Sequence, residues 1–294
     1  MAKAVFTHRF DSRYDDEPAE WYHFPATYLR AVERAVGDWI VYYEPRRGSG
    51  RLAYFATARV RNIVPDPAHP DHYYAHVTDY VDFPRAVPFR EGDAFLESLL
   101  RKDDGTPNRG ALGRAVRIIP DNEFDAILRA GLTIDPGLLG LAQAPETIDG
   151  FAEPSEAFER PIVQQLVNRK FRDAAFARSV KIAYQNRCAL SGLSLRNGGG
   201  RPEVEAAHIR PVERDGPDTV RNGLALSGTL HWMFDRGLVA VDDDYSILIA
   251  AGKLPKDTMD RLLVPDRRLI LPDDIHSLPS RGYLKYHREQ IFAG

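Results

Sequence analysis

Cysteine is nearly missing from this chain: Cys188 stands alone among 294 residues. An intrachain disulfide framework is therefore excluded, and so is any zinc cluster built from paired thiolates. Long hydrophobic runs are missing too, and nothing approaches the roughly 20 apolar residues that a membrane-spanning helix needs. The first residues, Met1-Ala-Lys-Ala-Val-Phe6, do not have the layout of a secretory signal. A cytoplasmic protein with no membrane partner is expected. Nor is there a strong excess of one charge: 39 Lys and Arg face 42 Asp and Glu, for a formal net charge of −3. Overall charge thus gives no sign of a polyanion binder, although a basic footprint need only be local. One local bias exists. Between Arg160 and Arg187 the cations Arg160, Arg169, Lys170, Arg172, Arg178, Lys181 and Arg187 are opposed by Asp173 alone.

What is present is an ordinary globular composition, 44% hydrophobic and 28% charged, long enough for two domains that each bury a core. Residues 38–43 and 51–60 alternate as strands around a Pro/Gly-containing turn at 44–50, and residues 72–80 and 114–119 read as further strands. Helices are expected over 24–36, 95–100 and 122–128. From Thr133 to Glu159 the composition shifts toward Pro, Gly and small residues, which marks a linker. After it, Ile162, Val163, Leu166, Val167, Phe171, Ala174, Ala175 and Val180 follow helical spacing. The expectation is an α+β chain in three parts: a strand-dominated domain over 1–132, a linker over 133–159 and a second domain over 160–294.

The densest chemistry lies in that second domain. Glu205-Ala-Ala-His208-Ile-Arg-Pro211 should be a short strand, Asn222-Gly-Leu-Ala-Leu226 a second strand reached through a loop, and His231-Trp-Met-Phe-Asp235 a helix capped near Ser227. On such a helix His231 and Asp235, four apart, project from one face and can chelate one ion. The His-Asn-His order and these flanks resemble the HNH, or ββα-metal, nucleases. The resemblance implies His208 as general base and Asn222 as the middle residue, which either braces the loop bearing the base or ligates metal. It implies His231 with Asp235 as metal ligands for Mg²⁺, Mn²⁺, Co²⁺ or Ni²⁺. Relatives often carry Asp or His directly before the base. Here that residue is Ala207, and Glu205 is the candidate to substitute. Many relatives also carry a four-cysteine zinc clamp, which this chain lacks, so no structural zinc is expected and the knuckle at Cys188 should be packed. Arg236 is a candidate phosphate contact.

The first domain carries Trp21-Tyr-His-Phe-Pro25, Val41-Tyr-Tyr-Glu-Pro-Arg-Arg47, Gly50-Arg-Leu-Ala-Tyr-Phe-Ala-Thr-Ala58 and Asp79-Tyr-Val-Asp-Phe-Pro84. These stretches resemble the N-terminal part of modification-dependent SRA-HNH restriction endonucleases, with an SRA/PUA-like curved β-sheet. The implied partner is double-stranded DNA containing 5-methyl- or 5-hydroxymethylcytosine. A flipped base needs aromatic faces and a hydrogen-bonding acceptor. Tyr28, Tyr43 and Phe55 are candidates for the first, Asp79 and Asp82 for the second, and Arg46, Arg47 and Arg51 for phosphate contact. Cutting both strands requires two such sites, so a homodimer through the nuclease half is expected. The competing readings are an inactive HNH fold that docks on DNA, and an HNH nuclease with another DNA or RNA specificity.

Overall fold

The computed structural model describes residues 2–9, 14–46, 50–132 and 169–294. The expected linker over 133–159, the start of the following helical segment and Arg47 lie outside the described residues. The N-terminal half is built on a six-stranded sheet from β1 (Ala4–Thr7), β2 (Trp21–Pro25), β3 (Trp39–Glu44), β4 (Ala53–Pro65), β5 (His72–Pro88) and β8 (Val116–Ile118). Their spatial order is β2-β5-β4-β3-β1-β8, antiparallel except where β1 runs parallel to β3. A minor ladder of β6 (Arg90–Glu91) and β7 (Ala94–Phe95) follows β5.

Side-chain alternation along the strands gives the sheet two apolar faces. Val41, Tyr43, Tyr54, Val81 and Phe83 face α3 (Asp121–Leu132), packing on Phe124, Ile127 and Leu128. Ile40, Tyr42, Ala56 and Ala58 point the other way, onto Phe24 and onto Val32 and Ala35 of α1 (Leu29–Ala35). The long β4–β5 pair shifts register three times, at Tyr54/Ala56, Thr57/Arg59 and Val60/Asn62. Such bulges add local twist and bend the ladder, so the sheet curls. α3 lies so close to it that a Cβ on Gly131 would stand 2.4 Å from the Phe83 ring.

Two expected helices are corrected. The one placed over 24–36 begins only at Leu29, because Phe24 and Pro25 are paired in β2 against Tyr73 and His72. Residues 95–100 form the end of β7 and a 3-10 turn over Ser98–Leu100. The reason is Glu97. Its carboxylate is fully buried and takes two parallel hydrogen bonds from Arg117, Nε at 2.7 Å and Nη2 at 2.7 Å, and one from the Tyr54 hydroxyl at 2.5 Å. That tether draws the segment onto β8 and β4, where continuous helix does not fit. A four-residue helix, α2 (Arg109–Leu112), precedes β8 and is capped by the Asn108 side chain.

The C-terminal half contains α4 (Arg169–Ala183), a hairpin of β9 (Glu205–His208) and β10 (Gly223–Leu226), and α5 (Gly228–Asp235). There follow a second hairpin, β11 (Val239–Val241) and β12 (Ile247–Ile249), then α6 (Lys256–Leu262) and α7 (Arg281–Gln290). One core joins Phe176 and Val180 of α4, Ala207, Leu224 and Leu226 of the first hairpin, Leu230 and Phe234 of α5, and Tyr283 and Leu284 of α7. α4 packs on β10 so tightly that a Cβ on Gly223 would stand 2.3 Å from Val180. Cys188 is fully buried, and its sulfur accepts from the Ser227 backbone N–H at 3.3 Å. Ser227 is the N-cap residue of α5, yet its hydroxyl makes no capping bond.

Two consequences for stability follow. Removing one partner of a buried ion pair leaves an uncompensated charge, so Glu97→Ala should lower stability by about 3–5 kcal/mol. Urea unfolding would measure it, and a loss under about 1 kcal/mol would contradict this account of the Glu97–Arg117 pair. The second concerns His287 on α7, whose ring stacks on Phe234 at 3.8 Å and whose Nε2 is 3.1 Å from the Phe234 carbonyl. Burial holds this histidine down to about 4, reinforced by Arg288 and opposed by the bond to the Phe234 carbonyl. An unfolded histidine titrates near 6.5. Between the two values only the unfolded chain takes up the proton, so this contribution is complete above pH about 6.5 and is lost as pH falls toward 4, amounting to about 3 kcal/mol. The stability–pH slope over that window should be shallower in His287→Gln; identical slopes would show that His287 does not carry it.

Candidate active site

His208 is the last residue of β9, opposite Gly223 of β10. Its ring stacks on Phe176 of α4, centroids 3.9 Å apart and planes 12° from parallel. Its Nε2 lies 3.1 Å from Asp218 Oδ1. Asp218 is buried and also meets Arg169 Nη2 at 3.3 Å and Arg172 Nε at 3.7 Å. With Nε2 held by a carboxylate, Nδ1 is the ring nitrogen left to accept a proton, and the imidazolium formed would sit beside a negative charge.

Asn222 had two open roles, and its contacts distinguish them. The side chain is fully buried. Its Oδ1 accepts from the Arg210 N–H at 2.8 Å, and its Nδ2 donates to the carbonyls of Arg210 and Pro217, each at 3.0 Å. These three bonds close the loop between β9 and β10 and use both amide hydrogens and one lone pair of Oδ1, the contacts of a bracing residue.

The pair expected to hold metal lies on α5. His231 Nε2 is 3.4 Å from Asp235 Oδ2, as the spacing of four implies. Glu205 is not beside that nitrogen: its Oε2 lies 2.8 Å from His231 Nδ1, across the ring. In this arrangement Glu205 fixes the tautomer and direction of His231 instead of converging on the same point as Asp235. Ala207 faces the core. Burial raises the Asp235 carboxyl above its ordinary range, with His231 and Arg236 pulling the other way and Glu205 adding to the rise. One imidazole nitrogen and one carboxylate, adjacent and facing an open cavity, fit a single divalent ion whose remaining positions go to water and phosphate oxygens.

His208, His231 and Asp235 line a single cavity of about 570 Å³, together with Arg169, Asp173 and Glu213. The sequence-based reading missed Asp218 and Phe176, and it marked Arg169 only as one cation of a basic stretch. Asp218 had a weak signal, a Pro-Asp-Thr turn just before the Asn222 loop. Phe176 sits on a helix remote in sequence, and nothing local marks it.

The N-terminal candidates divide. Phe55, Asp82 and Arg51 line one small pocket with Tyr80, Glu44 and His8, closed from the C-terminal half by Thr219, Arg221 and His276. Asp82 accepts from the Tyr80 hydroxyl at 2.8 Å and from the Val220 N–H at 2.6 Å, while burial, against those bonds, raises its carboxyl. Arg51 lies over the Phe55 ring at 5.2 Å and pairs with Glu44 and Asp274. Tyr43 is not in this pocket. It is fully buried on the opposite face of the sheet, among Tyr54, Phe89 and Arg117. Tyr28 packs against the other core, its hydroxyl accepting from the Ala115 N–H at 3.3 Å. Asp79 has a left-handed φ of 54° and pairs with Arg172 at 3.2 Å, beside a separate groove. Arg46 is exposed, and Arg236 lies over the Trp232 ring at 5.9 Å.

The family model of HNH endonucleases matches residues 188–242. No curated protein matches the chain. Among solved structures, the modification-dependent TagI restriction endonuclease aligns over 97% of this chain and 81% of its own, at 14% identity and a TM-score of 0.33. The type IV phosphorothioation-dependent restriction endonuclease ScoMcrA aligns over 97% of this chain and 50% of its own, at 16% identity and a TM-score of 0.24. Rpa0253 from Rhodopseudomonas palustris aligns over 47% of this chain and 95% of its own, at 15% identity and a TM-score of 0.31. These TM-scores all lie below 0.5, so the functional assignment rests on the matched segment and its side chains. Residues 188–242, which hold His208, Asn222, His231 and Asp235, are an HNH endonuclease domain, and the chain built around them is an endonuclease.

Proposed function

We propose that the chain is a modification-dependent DNA endonuclease in which the C-terminal half hydrolyses a phosphodiester and the N-terminal half selects a modified cytosine. The observation that carries the first part is the shared cavity: a histidine with a free nitrogen opposite a histidine–carboxylate pair. His231 and Asp235 would hold the divalent ion, Mg²⁺, Mn²⁺, Co²⁺ or Ni²⁺, whose charge offsets that of the scissile phosphate and of the departing 3′ oxygen. His208 Nδ1 takes the proton of the attacking water while Asp218 keeps the ring oriented and balances the charge it acquires. Glu205 holds His231 from behind, and Asn222 fixes the loop that joins the base to the second strand. Arg169, on the rim of the cavity, is placed to meet a phosphate.

The selective half is supported by the sequence resemblance to SRA-HNH enzymes and by the curled sheet. The pocket of Phe55, Tyr80 and Asp82 supplies aromatic surface and an acceptor for an extruded base. One active site per chain cuts one strand, so a symmetric homodimer would cut both.

His208→Ala removes the base and little apolar volume, so it should lower plasmid cleavage by about 10² or more while DNA binding survives. Near-normal cleavage by that variant would remove His208 from the mechanism. Full-length protein should also cut plasmid carrying 5-methyl- or 5-hydroxymethylcytosine at enzyme concentrations that leave unmodified plasmid intact. Loss of the Phe55 ring by Phe55→Ala should erase that preference, at about 1–3 kcal/mol for one stacking face. Equal cutting of all three plasmids by the full-length enzyme would sink the selective role and leave the nuclease assignment untouched.

A further inference from the structure

Far from the nuclease cavity, at the edge of the N-terminal sheet, two histidines and an aspartate gather around one point. His23 lies on edge strand β2, while Asp66 and His69 belong to the turn that joins β4 to β5. Asp66 Oδ2 stands 3.0 Å from His23 Nε2 and 2.8 Å from His69 Nδ1. One ligand atom from each residue falls within 4.8 Å of the others, the one such triad among the described residues. Neighbouring ligands about 2.0–2.1 Å from an ion are themselves separated by roughly 3.0–3.4 Å; the His23–Asp66 spacing meets that edge, and the His69–Asp66 contact, a hydrogen bond at 2.8 Å, needs only a small opening to reach it.

A hydrogen-bonded His–Asp–His chain is the competing account, and the contacts of His23 speak against it. Both of its ring nitrogens are buried, and neither makes a hydrogen bond despite the nearby carboxylate. Nε2 meets Asp66 as a close ion pair whose geometry is not that of a hydrogen bond, and buried ring nitrogens without hydrogen bonds cost free energy unless something else takes a lone pair. The surroundings are those of a ligand shell. The Tyr74 ring stacks on His23 at 4.5 Å and 15°, fixing its plane, and Tyr14 meets its edge at 5.5 Å. Asp66 uses its other oxygen, Oδ1, to accept from the Ala68 N–H at 2.7 Å, which aims Oδ2 at the histidines. His69 is 65% exposed on its side chain, so the point is reachable from solvent. A further imidazole, His72, stands 5.1 Å from His23 and 5.7 Å from His69 by ring centroids.

We infer that His23, Asp66 and His69 form a second metal site, separate from the nuclease centre, that takes a divalent transition ion, Zn²⁺ first. Two imidazoles and a carboxylate are a zinc-type donor set and a poor one for Mg²⁺ or Ca²⁺, which favour oxygen. The ion ties edge strand β2 to the β4–β5 turn, a link between segments more than forty residues apart in sequence. Edge strands are the parts of a sheet least held by neighbours, and a metal tie there adds its binding free energy to folding.

The test uses the full-length chain without an affinity tag, in a His231→Ala/Asp235→Ala background that silences the nuclease site. Zn²⁺ alone is the probe, read by calorimetry and by bound metal after gel filtration. The expected result is one Zn²⁺ per chain, with a rise in melting temperature. Adding His69→Ala, an exposed position that should leave the fold intact, should weaken binding by at least about ten-fold and abolish the rise. Asp66→Asn should act in the same direction. Absence of stoichiometric Zn²⁺ in the background protein, or uptake unchanged by His69→Ala, would overturn the site. In the unsubstituted enzyme, His69→Ala should leave cleavage of DNA with Mg²⁺ unaltered; loss of cleavage by a folded His69→Ala protein would contradict the independence of the two sites.

Discussion

The buried amide of Asn222 is the contact on which the geometry of the nuclease half depends. It satisfies one backbone N–H and two carbonyls of the loop between β9 and β10, a segment with no regular ladder of its own. Buried backbone groups must find partners, and a side-chain amide is the one short side chain offering both donors and an acceptor. Aspartate in that place would have the acceptor and lack the donors; leucine would fill the volume and leave three polar groups unpaired. Because the loop closes on Arg210 and Pro217, it fixes the exit of the His208 strand and sets Asp218 against the His208 ring. His208, Asp218 and the start of β10 are thus placed by one side chain that does not line the cavity.

Each of the two site histidines is then given direction by a carboxylate on the nitrogen that does not face the chemistry. Asp218 holds Nε2 of His208, and Glu205 holds Nδ1 of His231. The same device yields different behaviour because the surroundings differ. Asp218 is buried and shared with Arg169 and Arg172, so its position is rigid. Glu205 is 60% exposed on its side chain, and its pairing with His231 is correspondingly weaker against solvent. Of the two histidines, His208 thus has the firmer partner and His231 the softer one.

Much of this half was legible in the sequence because its signals are local. The order His208, Asn222, His231 and the four-residue step to Asp235 are read directly along the chain, and the two short strands and helix fall where the pattern placed them. What escaped were contacts between segments far apart in sequence: Phe176 and Arg169 on α4, and the pairing of Glu205 with the far side of His231. The N-terminal half was less legible for the same reason. Its aromatics alternate along strands, so Tyr42 and Tyr43 necessarily face different cores, but which face meets the pocket depends on the register shifts in β4–β5. Glu97 illustrates the limit best. The local pattern of 95–100 suits a helix, yet a buried ion pair to Arg117, twenty residues on, decides its conformation. His23, Asp66 and His69 gave no signal at all, since three ligands drawn from an edge strand and a distant turn have no motif spacing.

The two halves meet through polar contacts that converge on the same loop. Asp82, on the sheet, accepts from the N–H of Val220, two residues before Asn222. Asp79 pairs with Arg172, which also meets Asp218, and Glu20 accepts from the Tyr283 hydroxyl at 3.0 Å and lies 3.5 Å from Arg210. Arg210 is in turn the residue whose backbone the Asn222 amide clamps. A displacement of the sheet at Asp82 must therefore move Val220 or break a buried, charge-assisted hydrogen bond, and the first of these shifts the turn that carries Asn222. The bond is strong because it is desolvated, and its loss would leave both partners unpaired in the interior. Asp82, which lines the small pocket with Phe55, is thus the same group that anchors the loop beside His208.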